Sequence, residues 1–101
     1  MPAYWIARSH VMDPVQYQKY TDPIADIFKR YGGRILARGG PYRIMEGPEG
    51  FERHVVIEFP SMERAVACFE DREYQAAAAF RRNGGGVVEI VMVEGVEAPE
   101  Q

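Results

Sequence analysis

At 101 residues, with 47% apolar and 27% charged side chains, the chain has the size and balance of one globular domain with a single core. A formal net charge of −3 and scattered basic residues leave no basic block for a nucleic acid or a membrane surface. One cysteine, Cys68, excludes an intrachain disulfide, and no apolar run approaches the about 20 residues needed to span a bilayer.

The start shows no basic region followed by a long apolar run, so no signal peptide is expected, and the lone thiol fits a reduced, cytoplasmic setting. Cys68 lies in a helical pattern without an activating neighbour, which points to packing rather than reactivity.

The first strand is predicted over residues 3–10, with Tyr4, Ile6 and Arg8 on one face and Ala3, Trp5 and Ala7 on the other. Asp13 is a helix cap with Pro14 at the first helical position and Gln16 placed for a reciprocal bond. Tyr17, Tyr20, Ile24, Ile27, Phe28 and Tyr31 then follow the spacing of one buried stripe. Pro23 is expected to kink or restart this helix, and Gly32-Gly33 to end it.

A second strand starts at Arg34, breaks at Gly39-Gly40-Pro41 and is expected to resume from Tyr42 to Glu46. The turn Gly47-Pro48-Glu49-Gly50 leads into a third strand over residues 53–59, with Glu46 opposite Arg53. Ser61 caps a second helix carrying Met62, Ala65, Val66 and Phe69, and Asp71 caps a further segment. In that segment Tyr74, Ala77, Ala78 and Arg81 share a face. Gly84-Gly85-Gly86 ends it, and residues 87–94 form the last strand. Residues 1–96 are expected to make a single domain and residues 97–101 a flexible acidic tail.

The order strand, helix, strand, strand, helix, strand is that of the ferredoxin-like βαββαβ unit, an α+β fold with a four-stranded antiparallel sheet and helices on one face. The first, third and fourth strands read as apolar on both sides, so the bare face needs a cover. The sets at stake include Val55, Ile57 and Phe59 on one strand and Val88, Ile90 and Met92 on another. A homodimer pairing the two bare faces supplies that cover.

The residues also resemble a family. Asp13-Pro14 with Tyr17 and Tyr20, "YGGRILARGG" at 31–40, Glu46-Gly47, "VVIEFPS" at 55–61, "EYQAAAAFR" at 73–81 and "VEGV" at 93–96 together are similar to the domain-of-unknown-function thirteen-thirty family of the dimeric α/β-barrel superfamily. The resemblance implies a homodimer with sheets face to face and no particular reaction. Relatives in the superfamily include cofactor-free monooxygenases and small-molecule isomerases, a kinship of fold only. His54 departs from the family's pattern, where an aliphatic residue is usual.

Within "RHVVIEFP" at 53–60, His54 and Glu58 share a strand face but lie about 13 Å apart, too far for a dyad or a shared metal ion. His54 therefore reads as surface-facing or at a sheet edge, and neither metal nor cofactor is expected. Glu58 needs a partner. The first and third strands are expected to be parallel neighbours, which places Arg8 beside Glu58, with Arg81 and Arg38 as further cations.

One function open to this set is a small-molecule pocket between sheet and helices. Tyr17, Tyr20, Trp5, Phe80 and Tyr74 would form its walls, Arg8, Arg38 or Arg81 would bind an acid, and Glu58 would act as a base beside Arg81. Arg8, Glu58 and Arg81 fit a satisfied structural network somewhat better than a site, since structural ion pairs also sit in such places. The function is thus a small dimeric binding domain. The alternatives are a cofactor-independent monooxygenase or isomerase on a small aromatic or acidic substrate, and a structural dimer without ligand.

Overall fold

The structure, a computed structural model, describes residues 1–96, so the predicted tail at 97–101 lies outside it. Strand β1 spans Ala3–Val11, helix α1 Pro14–Arg30, β2 Arg34–Arg38, β3 Arg53–Phe59, α2 Met62–Glu70, α3 Arg72–Phe80 and β4 Gly86–Glu94. The sheet order is β2-β3-β1-β4 with every neighbour antiparallel, and the fold is ferredoxin-like α+β. None of the described helices is long and apolar enough to cross a membrane.

Local chemistry sets the helix starts. Asp13 Oδ1 accepts from the amides of Val15 and Gln16, Ser61 Oγ from Arg64, and Asp71 Oδ1 from Glu73 and Tyr74. Tyr31 donates to Asp71 Oδ2 at 2.6 Å, and that bond, with the two amides, holds the Asp71 carboxyl below its ordinary range. α1 runs unbroken through Pro23 instead of restarting there. The proline forfeits one hydrogen bond, and the buried stripe of Tyr17, Tyr20, Ile27 and Phe28 holds the helix on either side of it.

The core gathers around Trp5. Its ring packs edge-on against Phe28 at 5.1 Å and Tyr74 at 5.2 Å, and lies nearly parallel to Phe59 at 5.9 Å. Cys68 is fully buried beside them, and burial pushes its thiol up to about 12, so it packs as a small apolar residue and offers no thiolate.

Two expectations are corrected and a third point, left open by the sequence, is answered. β1 and β3 are neighbours but antiparallel, pairing Tyr4 with Glu58 and Arg8 with His54. The topology requires this: β3 reverses from β2, which α1 has carried back to run in the direction of β1. Second, no strand resumes at Tyr42–Glu46. Gly39 takes a positive φ of 64°, and residues 39–52 leave the sheet as a loop. The Glu46–Arg53 pair therefore does not form. Third, Val55, Ile57, Phe59, Val88, Ile90 and Met92 all pack on the helix side. The open face carries Tyr4, Ile6 and Arg8, His54, Val56 and Glu58, and Val87, Glu89, Val91 and Val93. On β3 that leaves one valine between a histidine and a carboxylate, a smaller apolar surface than the strand's sequence promised.

Candidate functional site

A cavity of about 240 Å³ lies between α1 and the covered face of the sheet. Its walls are apolar: Trp5, Ile57 and Val55 from the strands, Tyr20, Ile24 and Phe28 from the helix. The volume sits just below the usual range of ligand pockets, about 300–1,000 Å³, which suits a small molecule. α1 leaves this space because it reaches the sheet through long aromatic side chains rather than by close backbone approach.

Polar side chains reach the cavity as well, among them Ser9, Tyr17, Thr21, Arg38 and Arg53. Ser9 and Arg53 are directly opposite on β1 and β3. The buried Tyr17 hydroxyl donates to Ser9 Oγ at 2.9 Å, leaving the serine proton available to another acceptor. The Arg53 guanidinium lies over the Tyr17 ring at 5.8 Å, and its Nε is buried without a hydrogen-bond partner. Gly39 makes room for it, since a Cβ there would come within 2.7 Å of Arg53 Nη1. Gly86 does the same for Tyr17, where a Cβ would meet the ring at 3.1 Å and the His10 carbonyl at 2.6 Å.

Arg38 reaches the cavity through a bulge. In an unbroken strand Arg34 and Arg38 would share a face. The register slips between Ile35 and Ala37, so that Ile35 pairs with Ile57 and Arg38 with Val55, both on the covered side, whereas Arg34 pairs with Glu58 on the open side. Among the described residues neither Arg38 nor Arg53 has a carboxylate partner. Two such cations at an apolar cavity, with a serine hydroxyl beside them, are chemically complementary to an anion.

The sequence-predicted residues divide into three places. Tyr17 and Arg38 line the cavity, together with Trp5 and Tyr20. Glu58 is on the opposite face, where it accepts from Tyr4 at 3.2 Å and pairs with Arg34 at 3.0 Å instead of Arg8 or Arg81. Arg8 is on that face too, bound to Glu89 at 2.8 Å and stacked over Phe51. Arg81 and Tyr74 are buried between the helices and the sheet: Arg81 Nη2 donates to the Tyr74 hydroxyl at 3.2 Å, which lies 2.9 Å from that of Tyr20. Burial and the adjoining Tyr74 raise Tyr20 well above an ordinary phenol, so it stays protonated. Phe80 is largely exposed beside Lys19, away from the cavity. His54 is on the open face of an interior strand, against the Tyr42 ring at 4.8 Å. Glu58 and Arg81 are thus not brought together.

Arg53 and Ser9 are the residues the sequence reading passed over. The signal was present: Arg53 has the same parity as Val55, Ile57 and Phe59, and Ser9 the same as Trp5. Among the described residues no cluster of His, Cys, Asp or Glu side chains is arranged to hold a metal ion.

Comparison with known proteins agrees with this architecture. A protein of unknown function from Rhodopseudomonas palustris superposes with a TM-score of 0.74 at 19% identity, over 96% of this chain and 84% of that one. SnoaB from Streptomyces nogalater, a cofactor-independent oxygenase, superposes with a TM-score of 0.63 at 14% identity over 98% of each chain. A dimeric protein of unknown function and ferredoxin-like fold from Bacteroides fragilis gives 0.62 at 14% identity, over 93% of this chain and 96% of that one. At such identities the fold alone is shared. No protein of curated function matches the sequence significantly. The family model for a domain of unknown function (DUF1330) matches residues 2–96, and the chain belongs to that family.

Proposed function

We propose that the chain is a homodimeric, cytoplasmic domain, formed by residues 1–96, that binds a small, largely apolar carboxylic acid between α1 and the sheet. The observation that carries this is Arg53, whose Nε is buried without a partner at the wall of an apolar cavity, with Arg38 as a second unpaired cation. A guanidinium that receives no carboxylate from the described residues is suited to one from a ligand. Ser9 donates to a ligand oxygen, and Trp5, Tyr20 and Phe28 enclose the apolar body. Binding rather than turnover is favoured because no acid side chain lines the cavity, and Glu58 falls outside the proposed site. The SnoaB likeness keeps cofactor-independent oxygenation or isomerisation as the second reading, with Tyr17 and Ser9 as the groups in reach of the ligand. The dimer is supported by the apolar centre of the open face and by the Bacteroides fragilis protein, itself dimeric. A reduced setting suits the single buried thiol.

The test compares acids with their amides. Benzoate, phenylacetate and hexanoate are titrated by calorimetry and by melting temperature beside benzamide, phenylacetamide and hexanamide. At least one acid should bind at millimolar concentration or better and its amide at least tenfold more weakly. Arg53→Gln should weaken the acid tenfold or more. Equal behaviour of acids and amides, or an unchanged affinity in Arg53→Gln, overturns the proposal.

A further inference from the structure

Arg81 belongs to a different place from the α1 cavity. It is 6% exposed, and its Nε is buried with no hydrogen-bond partner. Among the described residues it has no carboxylate partner. Its guanidinium is met by neutral groups: the Tyr74 hydroxyl at 3.2 Å and the face of the Tyr20 ring at 5.0 Å. None of these is a counter-charge, and a buried guanidinium without one is destabilising.

The same side chain borders a groove of about 450 Å³ between α2 and β4. Val66 and Phe69 form one wall and Val88, Ile90 and Met92 the other. Arg82 stands at the groove as well, but its guanidinium is engaged by Gln75 at 2.7 Å. The Tyr20 ring, which lines the α1 cavity, stacks on Arg81. It therefore stands between the two spaces.

We infer that Arg81 anchors a second anion site, which takes the carboxylate of an elongated aliphatic acid whose chain lies along the α2–β4 groove. The carboxylate supplies the counter-charge that Arg81 lacks among the described residues. The groove's aliphatic walls and its larger, more open volume favour a longer acid than the α1 cavity admits. This site does not depend on the first, since the two are lined by different cations.

Octanoate is the probe, with octanamide as the neutral control, and the Arg53→Gln chain is used so that the α1 cavity is disabled. Methyl resonances of Val66, Ile90 and Met92 should shift saturably with octanoate, and the melting temperature should rise. Octanamide should do neither. Arg81→Met keeps the side chain's bulk without the charge; it should fold and lose the octanoate response at least tenfold in affinity. Methyl shifts confined to the α1 cavity, no shifts at all, or an undiminished response in Arg81→Met each overturn the inference. Should Arg81→Met fail to fold, the methyl map of the Arg53→Gln chain decides alone.

Discussion

The two faces of the sheet treat arginine in opposite ways. On the open face Arg8 is bound to Glu89 and Arg34 to Glu58, each at 3.0 Å or less, although water would solvate all four groups. On the covered side Arg38, Arg53 and Arg81 have no carboxylate among the described residues; Arg38 is exposed on the edge strand, Arg53 is part-buried and Arg81 is buried, so a missing partner matters most at Arg81. Selection for stability alone gives the reverse distribution. The covered side leaves these cations without a carboxylate among the described residues where apolar cavities meet them, and this supports the binding sites proposed there. The open side satisfies its charges around an apolar centre, as at a protein interface with a polar rim.

The largest expected effect comes from breaking the covered side. Trp5 is 1% exposed and touches Phe28, Phe59, Phe69 and Tyr74. Trp5→Ala should cost about 3–5 kcal/mol, read by urea denaturation. It should also abolish acid binding, because the ring is a wall of the α1 cavity. Retained binding in a folded Trp5→Ala chain would mean that the acid sits elsewhere, and would separate the cavity from the charge pattern.

The next effect concerns the open side. Ile6 pairs across the strands with Val56 and Val91; Val91 is 62% exposed, and Leu36, Val87 and Val93 are about half exposed. In a homodimer these residues meet their copies through a self-complementary contact of roughly 1,600 Å² or more. Sedimentation of the parent chain should give twice the mass of 11.5 kDa, and Val91→Glu should shift the population toward the single chain. A parent that sediments as one folded chain at micromolar concentration ends the interface reading of this face. It leaves the covered side untouched.

Much of this contrast was legible in the sequence. The three caps, the α1 stripe and the six-element order followed from local chemistry that tertiary packing had no reason to override. Residue parity along 53–59 already separated Arg53 from His54 and Glu58, so the interior cation was available to a reader who followed parity before chemistry. One feature was not available. The face of Arg38 depends on a one-residue slip in register at Leu36, and a bulge leaves no distinct mark in "RILAR". The direction of the first strand against the third was available, because the antiparallel sheet implied by the element order already opposes them, and the parallel alignment contradicted it. Aligning the strands the wrong way moved Arg8 by the length of a strand and created a pair that the fold cannot make.

The smallest expected effect sharpens the open side further. The parallel alignment made Arg8 one half of a buried pair, and removing half of such a pair costs about 3–5 kcal/mol. In the structure both its Nε and Nη2 reach Glu89 Oε1 at 2.8 Å, but the two side chains are 42% and 55% exposed. Water screens a pair of this kind, and ordering two long side chains offsets much of the attraction. Arg8→Ala should therefore cost only about 0.2–1 kcal/mol, somewhat more if the contact of Arg8 with Phe51 counts, and less as salt is raised. The position of the pair fits this size: Arg8 and Glu89 lie one pairing step of the same face beyond Ile6 and Val91, and Glu58 lies on the other side of that apolar centre, opposite Tyr4. In the proposed homodimer both ion pairs would form a rim, where partner association leaves charges wet. Denaturation at two salt concentrations decides the matter. A cost of about 3 kcal/mol or more that salt does not change would place Arg8 and Glu89 inside the contact between two copies rather than around it.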